Sequence, residues 1–262
     1  MKIFLQYIAP KKFISRLMGK LASFKHPVFF KNLWIKKYIT HFDVNMTEAI
    51  KTNYEHYECF NDFFSRRLQP LARPIDQDSN SIISPADGSI SMLGKIHKNT
   101  LIQAKNHDYT VQDLLGGNFA DAEKFINGHF MTIYLSPKDY HRVHTPVTGK
   151  LVKTVHIPGK LFSVNPLTVE SVPNLFACNE RTLNIFETDI GNVAVIFVGA
   201  IIVGSIVMLA KENDLLNKGD ELGYFQMGST VIVLFQENKI SFENSLTVNS
   251  SLKMGTKIGN SP

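Results

Sequence analysis

Apolar positions divide the chain into a helical N-terminal segment and a β-rich remainder. Ile14, Leu17, Met18 and Leu21 follow the spacing i, i+3, i+4, i+7, which predicts one apolar face of a helix. From Ile82 onward, short β-branched runs are separated by glycine, proline and asparagine, a pattern typical of an antiparallel or mixed β core. The predicted strands cover residues 89–92, 151–157, 183–187, 193–198, 201–209, 230–235 and 240–242. The expected fold class is α+β, with N-terminal helices on a mostly β core of mixed sheets that resembles a sandwich or a barrel.

The segment over residues 43–75 is expected to begin as a helix and to end as an extended connector. Thr47 precedes an apolar-periodic run, which is a capping-style helix start, and Pro70 and Pro74 end regular structure. Short helices are also predicted among the strands, around Leu114 and over residues 121–126.

The apolar run over residues 193–210 is long enough to raise the question of a transmembrane helix, since only Gly199, Gly204 and Ser205 interrupt it. Its valines and isoleucines favour strands, and the glycines divide it into pieces of strand length. The preferred interpretation is two buried strands joined at Gly199 and Ala200.

Composition describes a globular chain whose positive charge lies at one end. With 262 residues, 44% of them hydrophobic, the chain can build one large domain or two small ones. Cys59 and Cys178 show neither metal-ligand spacing nor a disulfide framework, which favours a reducing compartment. The net charge is +5, yet residues 1–42 alone carry nine Lys and Arg and no Asp or Glu. The rest of the chain is therefore slightly acidic.

A basic, aromatic-rich amphipathic helix fits a membrane interface, where anionic headgroups attract the lysines and acyl chains take the apolar face. We therefore expect residues 1–42 to be a membrane-associating segment and residues 43–262 to be a second domain. An ordinary helix packed on the core is the main alternative. A signal peptide is less expected, because this segment lacks a compact apolar region followed by a small-residue cleavage site. Nucleic-acid binding is a weaker alternative, because the aromatic residues lie on the apolar stripe of the helix.

The bond between Gly228 and Ser229, at the start of a predicted buried strand, is a candidate for chemistry. Glycine leaves its carbonyl sterically open, and the next residue carries a hydroxyl that can attack it. Attack would convert the amide to an ester, and elimination across Ser229 would break the chain and allow a pyruvoyl N-terminus. An ordinary turn entering a strand is the simpler interpretation of these residues alone.

Two further polar groupings stand out. Asp87 lies in the turn-like phrase 84–88, where it could simply cap its own backbone. His141 and His144 lie three residues apart, but no third ligand nearby completes a metal site. An Asp, a His and a Ser are the components of a charge-relay triad, although spacing alone does not bring them together.

In six phrases the sequence resembles the bacterial phosphatidylserine decarboxylases, over almost its whole length. These phrases are Phe64-x-Arg66-x-Leu68 with Arg73-Pro74, Ser84-Pro85-Ala86-Asp87-Gly88, Tyr140-His141-Arg142-Val143-His144, Leu161-Phe162-Ser163-Val164-Asn165-Pro166, Val198-Gly199-Ala200 with Val203-Gly204-Ser205-Ile206, and Gly228-Ser229-Thr230. Met227 stands where the family usually has leucine, which is a conservative departure.

The resemblance implies a proenzyme that cuts itself between Gly228 and Ser229, into a large β chain of residues 1–228 and a small α chain of residues 229–262. Asp87, His144 and Ser229 would form the charge relay for this cleavage. Ser229 would become a pyruvoyl group that forms a Schiff base with the substrate amine, with no metal and no pyridoxal phosphate. His141 would transfer a proton in the decarboxylation, and Ser163 and His141 would contact the substrate.

The family also implies the setting of the reaction. Phosphatidylserine would be the substrate, the enzyme would sit peripherally on the cytoplasmic side of the bacterial cell membrane, on an anionic surface, and it would form a homodimer. Two other classes compete with this lyase. A serine hydrolase could use the same triad, but Met227 and Val231 stand where the Gly-x-Ser-x-Gly elbow has its two glycines. A non-enzymatic membrane-binding module would use the β core only to position the basic helix.

Overall fold

The N-terminal segment forms two helices, which confirms the helix predicted from its apolar spacing. The structure is a computed structural model that describes residues 6–7, 10–104, 107–201, 206–226 and 229–262. Helix α1 spans Lys11–Ala22 and helix α2 spans Val28–Phe42. Proline precedes each helix, and Asp43 ends α2 in a left-handed conformation with a φ of 54°. Several apolar side chains of this segment remain exposed: Phe13, Leu17, Leu21, Phe24, Val28, Phe29 and Phe30.

Helix α2 packs on the next part of the chain through aromatic contacts. A short helix, α3, spans Phe60–Phe64. Trp34 stacks on Phe60 with ring centroids 4.3 Å apart, and Ile35 is buried in the same cluster. One face of α2 is therefore core, while its N-terminal end carries exposed phenylalanines.

The helix expected to begin at Thr47 is absent, and this prediction was wrong. The side-chain oxygen of Asn45 accepts a hydrogen bond from the backbone N–H of Thr47, which closes a turn in place of a helical start. Ala49 instead pairs with Leu68 in an isolated antiparallel bridge. A 3₁₀ turn at Tyr54–His56 and helix α3 are the helical elements described between Asp43 and Pro74.

An eight-stranded sheet forms the centre of the molecule. Its strands are β2 (Gly88–Lys95), β5 (His129–Leu135), β7 (Gly149–Ile157), β8 (Arg181–Thr188), β9 (Gly191–Val198), β11 (Leu215–Leu216), β13 (Ser229–Phe235) and β15 (Ser251–Leu252). Their order in the sheet is β11-β7-β8-β9-β13-β5-β2-β15, and every neighbouring pair is antiparallel.

Smaller elements surround this sheet. The remaining strands are β1 (Ser81–Ile83), β3 (Thr100–Ala104), β4 (His107–Thr110), β6 (Arg142–His144), β10 (Ile206–Met208), β12 (Glu221–Phe225), β14 (Ser241–Phe242) and β16 (Lys257–Asn260). They form three further sheets with the orders β1-β16-β14, β10-β12-β6 and β3-β4. Short helices are α4 (Val111–Leu114), α5 (Phe119–Glu123), α6 (Pro166–Val169) and α7 (Leu175–Cys178), and the first two confirm the helices predicted there.

Strand β13 lies between two apolar clusters, with all seven residues buried. Successive side chains of a strand point to opposite faces. Val231, Val233 and Phe235 accordingly join one cluster, and Ile232 and Leu234 join the other. A strand covered on both faces explains the unbroken apolar run in the sequence. The α+β class with a mostly β core is confirmed, and the sheets of the described residues are open rather than closed into a barrel.

The apolar run over residues 193–210 forms two strands, as expected, because β9 ends at Val198 and β10 covers Ile206–Met208. They belong to different sheets, and β10 is half-buried rather than buried. Within the described ranges, no helix has the length and apolarity needed to cross a membrane.

Candidate active site

Ser229 is the first residue of the central strand β13, and it is fully buried. Ser229 pairs with Leu135 on β5, and the next residue, Thr230, pairs with Val198 on β9. The sheet thus fixes the backbone of Ser229. Gly228 and Met227, on the other side of the proposed cleavage site, lie outside the described residues.

His141 is the histidine that contacts Ser229. It lies in the connection between β5 and β6, and its Nδ1 is 3.1 Å from the Ser229 Oγ. Its Nε2 donates to the backbone carbonyl of Ser136 at 3.1 Å, which places the ring proton on Nε2 and leaves Nδ1 to accept from the serine hydroxyl. Phe64 stacks on the imidazole with centroids 4.0 Å apart.

The surroundings of His141 keep its ring neutral. It is completely buried, and the charge of Arg66 adds to this effect. Desolvation, followed by that charge, lowers the pKa of His141 to about 3. A nitrogen that holds a proton so weakly is a poor general base near neutral pH. A hydrogen bond between this ring and an uncharged hydroxyl is therefore the stable arrangement.

His144 lies at the end of β6 and has other partners. Its Nδ1 donates to the carbonyl of Gly219 at 2.8 Å, so its Nε2 is the unprotonated nitrogen and accepts from the Tyr140 hydroxyl at 3.0 Å. Burial lowers the pKa of His144, while the Gly219 contact opposes this shift. The ring is thus oriented with a basic nitrogen, but that nitrogen is hydrogen-bonded to Tyr140 and not to Ser229.

Asp87 lies between β1 and β2 and is almost fully buried. Arg73 holds it by two nitrogens, with Nε 2.8 Å from Oδ1, and the N–H of Met254 donates to the same oxygen at 2.9 Å. Gly88 follows, and a β-carbon there would collide with the carbonyl of Tyr134, so glycine lets β2 approach β5 at this point. The three triad candidates lie in one region, but Asp87 is paired with Arg73 rather than with a histidine.

Ser163 lies in the loop before α6. Its backbone N–H donates to the side-chain oxygen of Gln6 at 2.9 Å. The next residue, Val164, lines a cavity of about 260 Å³ together with Ser89, Met92 and Tyr134. Tyr134 pairs with Thr230, so one wall of this cavity belongs to the strand next to the residue that follows Ser229.

Sequence reasoning assigned no role to several residues that hold the site together. Arg73 belongs to the Arg73-Pro74 phrase, and that phrase was the only signal for its pairing with Asp87. Tyr140 lies inside the histidine phrase, yet nothing in the sequence indicates its contact with His144. The carbonyls of Ser136 and Gly219 orient the two histidines by backbone atoms, which carry no residue-specific signal.

Among the residues whose structure is described, His, Cys, Asp and Glu form no group of three or more that could hold a metal ion. The arrangement instead offers a buried hydroxyl beside a neutral imidazole, a second oriented imidazole, and a buried ion pair. These are components for nucleophilic attack and proton transfer.

Comparison with known proteins gives a consistent result. The profile of the family described as phosphatidylserine decarboxylase matches residues 60–260, and a second profile, described as PSD, matches residues 1–43. The chain is 47% identical to a protein of Pseudoalteromonas translucida, over 97% of this chain and 96% of that protein. Proteins of Bordetella avium and Aliivibrio fischeri are each 46% identical, over 95% and 98% of this chain and 91% and 96% of their own lengths. All three are named phosphatidylserine decarboxylase proenzyme. This chain belongs to the phosphatidylserine decarboxylase family.

Proposed function

We propose that this protein is a proenzyme that cuts itself between Gly228 and Ser229 and then decarboxylates phosphatidylserine to phosphatidylethanolamine and carbon dioxide. The observation that carries this proposal is the buried hydroxyl of Ser229, fixed at the start of the central strand and 3.1 Å from an imidazole nitrogen. Family membership supplies the reaction and the substrate, and the site supplies a nucleophile where the reaction needs one.

The cleavage step rearranges the bond before Ser229. The Ser229 Oγ loses its proton and attacks the Gly228 carbonyl carbon, so that an ester replaces the amide. Loss of the proton on the Ser229 Cα then expels the Gly228 carboxylate. Hydrolysis of the resulting enamine releases ammonia and leaves a pyruvoyl group at the start of the small chain.

His144 is our candidate for the base in this step, with Asp87 as the third member of the charge relay. The family resemblance supports the assignment. The carbonyl of Gly219 also supports it, because it holds the proton on Nδ1 and leaves Nε2 basic. The Tyr140 hydroxyl occupies that nitrogen in this structure, so His144 reaches Ser229 only after this contact changes or through the tyrosine hydroxyl.

The residues around Ser229 fit a pyruvoyl group, which is built from the serine itself and needs no added volume. Thr230 Oγ1 is buried and has no hydrogen-bond partner among the described residues, so a donor lies next to the position of the group. The cavity beside Tyr134 gives room for a substrate headgroup. When present, the group supplies an electron sink for the pair released as carbon dioxide leaves.

His141 is our candidate for the proton transfer at the substrate Cα, a role in which its Nδ1 must first take up the proton that it then gives to Cα. The residue that touches the Ser229 side chain before cleavage is proposed to stay beside the same backbone position afterwards, since Ser229 pairs with Leu135 on β5 and the next residue, Thr230, pairs with Val198 on β9. The Ser136 carbonyl and the Phe64 ring fix the imidazole plane. Ser163, beside the cavity wall, is proposed to contact the headgroup.

The basic N-terminal helices are proposed to hold the enzyme peripherally on the cytoplasmic side of the cell membrane, and the active protein is proposed to be a homodimer. The exposed phenylalanines of α1 and α2, beside nine bases and no acid, support the membrane contact. The family resemblance supports the homodimer.

An assay of carbon dioxide released from carboxyl-labelled phosphatidylserine in mixed micelles tests the proposed activity. The wild-type protein should release label, and Ser229→Ala should release none. Ser251→Ala, an exposed serine on β15, is the matched control and should keep full activity. Equal activity in Ser229→Ala and Ser251→Ala would contradict the proposal.

A further inference from the structure

A second cavity, half of whose lining residues are cationic, lies apart from the Ser229 site. It has a volume of about 220 Å³, which exceeds several times the roughly 30 Å³ that a water molecule occupies in the liquid. Four of its eight lining residues are basic, and one is acidic: Ile50, Lys51, Tyr57, Asp62, Ser65, Arg66, Arg67 and Arg142. We infer that this cavity is a binding site for a phosphate group.

Arg66 at the inner end of the cavity carries the argument. Its residue exposure is 4%, and its Nη2 donates to the carbonyls of Lys138 and Asp139 at 2.8 and 3.2 Å. Its Nε and Nη1 are buried and have no hydrogen-bond partner among the described residues. A buried guanidinium with two unused donors is costly unless an acceptor reaches it. These two donors lie on different edges of the guanidinium, and either of them can give a charge-assisted hydrogen bond to a phosphate oxygen.

Other charges make the cavity suitable for one more anion. Arg142 pairs with Glu221 through Nη1, and Arg67 lies 3.7 Å from the other oxygen of the same carboxylate. Lys51 pairs with Asp62 at 2.9 Å. The four bases therefore face two carboxylates, which leaves a net positive charge in the cavity. Arg67, with 64% of its side chain exposed, stands at the mouth and can turn toward a ligand.

The cavity is also connected to the basic N-terminal helices and to the active site. Lys31 of α2 donates to the backbone carbonyls of Tyr57 and Glu55 and so fixes one wall to the helix. On the inner side, Arg66 holds the loop just before His141, and Phe64 stacks on that histidine. The phosphate can therefore come from a phospholipid at the membrane or from a small phosphate compound in solution.

Titration calorimetry on the full-length protein tests this site without measuring turnover, so its outcome is independent of the proposed activity. The probes are sn-glycerol 3-phosphate in one arm and vesicles containing phosphatidylglycerol in the other. Saturation by glycerol phosphate identifies a soluble source as sufficient. Saturation by vesicles alone identifies a lipid headgroup in the cavity when Arg67→Gln weakens it, because the N-terminal helices are themselves proposed to bind anionic vesicles. We expect saturable binding in at least one arm.

Variants show whether binding uses this cavity. Arg67→Gln should weaken binding about tenfold or more, because it removes charge-assisted hydrogen bonds. Lys95→Gln, which removes an exposed positive charge elsewhere, should leave affinity within about twofold. Arg66→Gln should also lose phosphate binding. Its affinity is compared with that of the wild type when the melting temperatures of the two proteins agree, which shows that the variant is folded. No saturable binding in either arm, or equal affinity in Arg67→Gln and Lys95→Gln, would overturn the inference.

Discussion

His141 faces Ser229 with Nδ1 at 3.1 Å from the serine Oγ, while His144, only three residues later, is hydrogen-bonded to Tyr140 and to the carbonyl of Gly219. Both rings are neutral and oriented, but they serve different neighbours. The two histidines are therefore candidates for separate roles, and His144, the proposed base of the cleavage, is not the one that contacts Ser229.

Alanine variants of the two histidines should therefore fail at different stages. His144→Ala should remain one uncut chain, because the proposed base is missing. His141→Ala should still be cut but should decarboxylate about 10²-fold or more slowly, since it lacks its proton-transfer group. Denaturing electrophoresis measures the first property, and carbon dioxide release measures the second.

The exposed His156 on β7 provides the control for this pair, and His156→Ala should be cut and active. A cut His144→Ala together with an uncut His141→Ala would reverse the assignment. In that case the hydrogen bond seen here, rather than the family resemblance, would identify the base.

Removal of Arg73 should destabilise the protein strongly. Arg73 is the buried partner of Asp87, so its loss leaves a buried carboxylate whose remaining cationic neighbour, Lys253, is half-exposed. Arg73→Met should lower the free energy of unfolding by about 3–5 kcal/mol. Lys253 lies 3.4 Å from the same carboxylate but is half-exposed, so Lys253→Met should cost only about 0–1 kcal/mol. Urea unfolding of both variants checks this, and equal losses would show that the Arg73 contact is not the dominant one.

Acid should weaken the fold through the buried histidines. Burial lowers the pKa of His141 to about 3 and also lowers that of His144, whereas both titrate near about 6.5 in an unfolded chain. Below that value the unfolded chain binds protons that the folded chain does not, so the free energy of unfolding falls as pH falls from about 7 to about 5.

Urea unfolding at both pH values measures this slope, with Ser229→Ala as the background so that one covalent chain unfolds. Adding His141→Ala to this background should flatten the slope. Adding His156→Ala should leave it unchanged, since His156 is exposed. A slope that is the same in both double variants would contradict the assigned pKa of His141.

The exposed phenylalanines of the N-terminal segment should contribute to vesicle binding. Replacing Phe13, Phe24, Phe29 and Phe30 by serine should reduce affinity for anionic vesicles, because it removes apolar side chains that would be buried in the membrane. Salt screens the attraction of the lysines to the vesicle but does not screen this apolar burial. Wild-type binding should therefore weaken at high salt but persist in part. Sedimentation with vesicles of phosphatidylglycerol and phosphatidylcholine measures both effects.

Point substitutions test this better than deletion of residues 1–40, because Trp34 and Ile35 belong to a buried cluster. The matched control replaces exposed apolar residues elsewhere by serine: Leu71, Phe119, Leu167 and Leu215. Equal binding by the two quadruple variants would show that the N-terminal phenylalanines do not enter the membrane.

The sequence predicted elements whose pattern is local. The spacing of Ile14 to Leu21 was sufficient for α1, and the apolar run after Ser229 was sufficient for β13, because both depend on a repeating burial pattern. Strand β5, over His129–Leu135, was not predicted, although it pairs with both β13 and β2. The helix predicted at Thr47 is absent, because the Asn45 side chain closes a turn there instead.

The site was less predictable, because its contacts join distant parts of the chain. The motifs named Asp87, His141, His144 and Ser229, and the structure places them in one region. Which residue touches which depends on backbone carbonyls and on Arg73, and no spacing rule encodes these contacts. The pairing of Asp87 with Arg73 could be found only from the fold.

Ser229 is proposed to break its own peptide bond, and the intact mass of the purified protein under denaturing conditions measures this. We expect two chains, residues 1–228 and a 34-residue chain that starts at position 229 and is blocked to amine chemistry. Ser229→Ala should give one chain of 262 residues. A single wild-type chain with an intact Gly228–Ser229 bond in active protein, or a two-chain product from Ser229→Ala, would contradict this proposal.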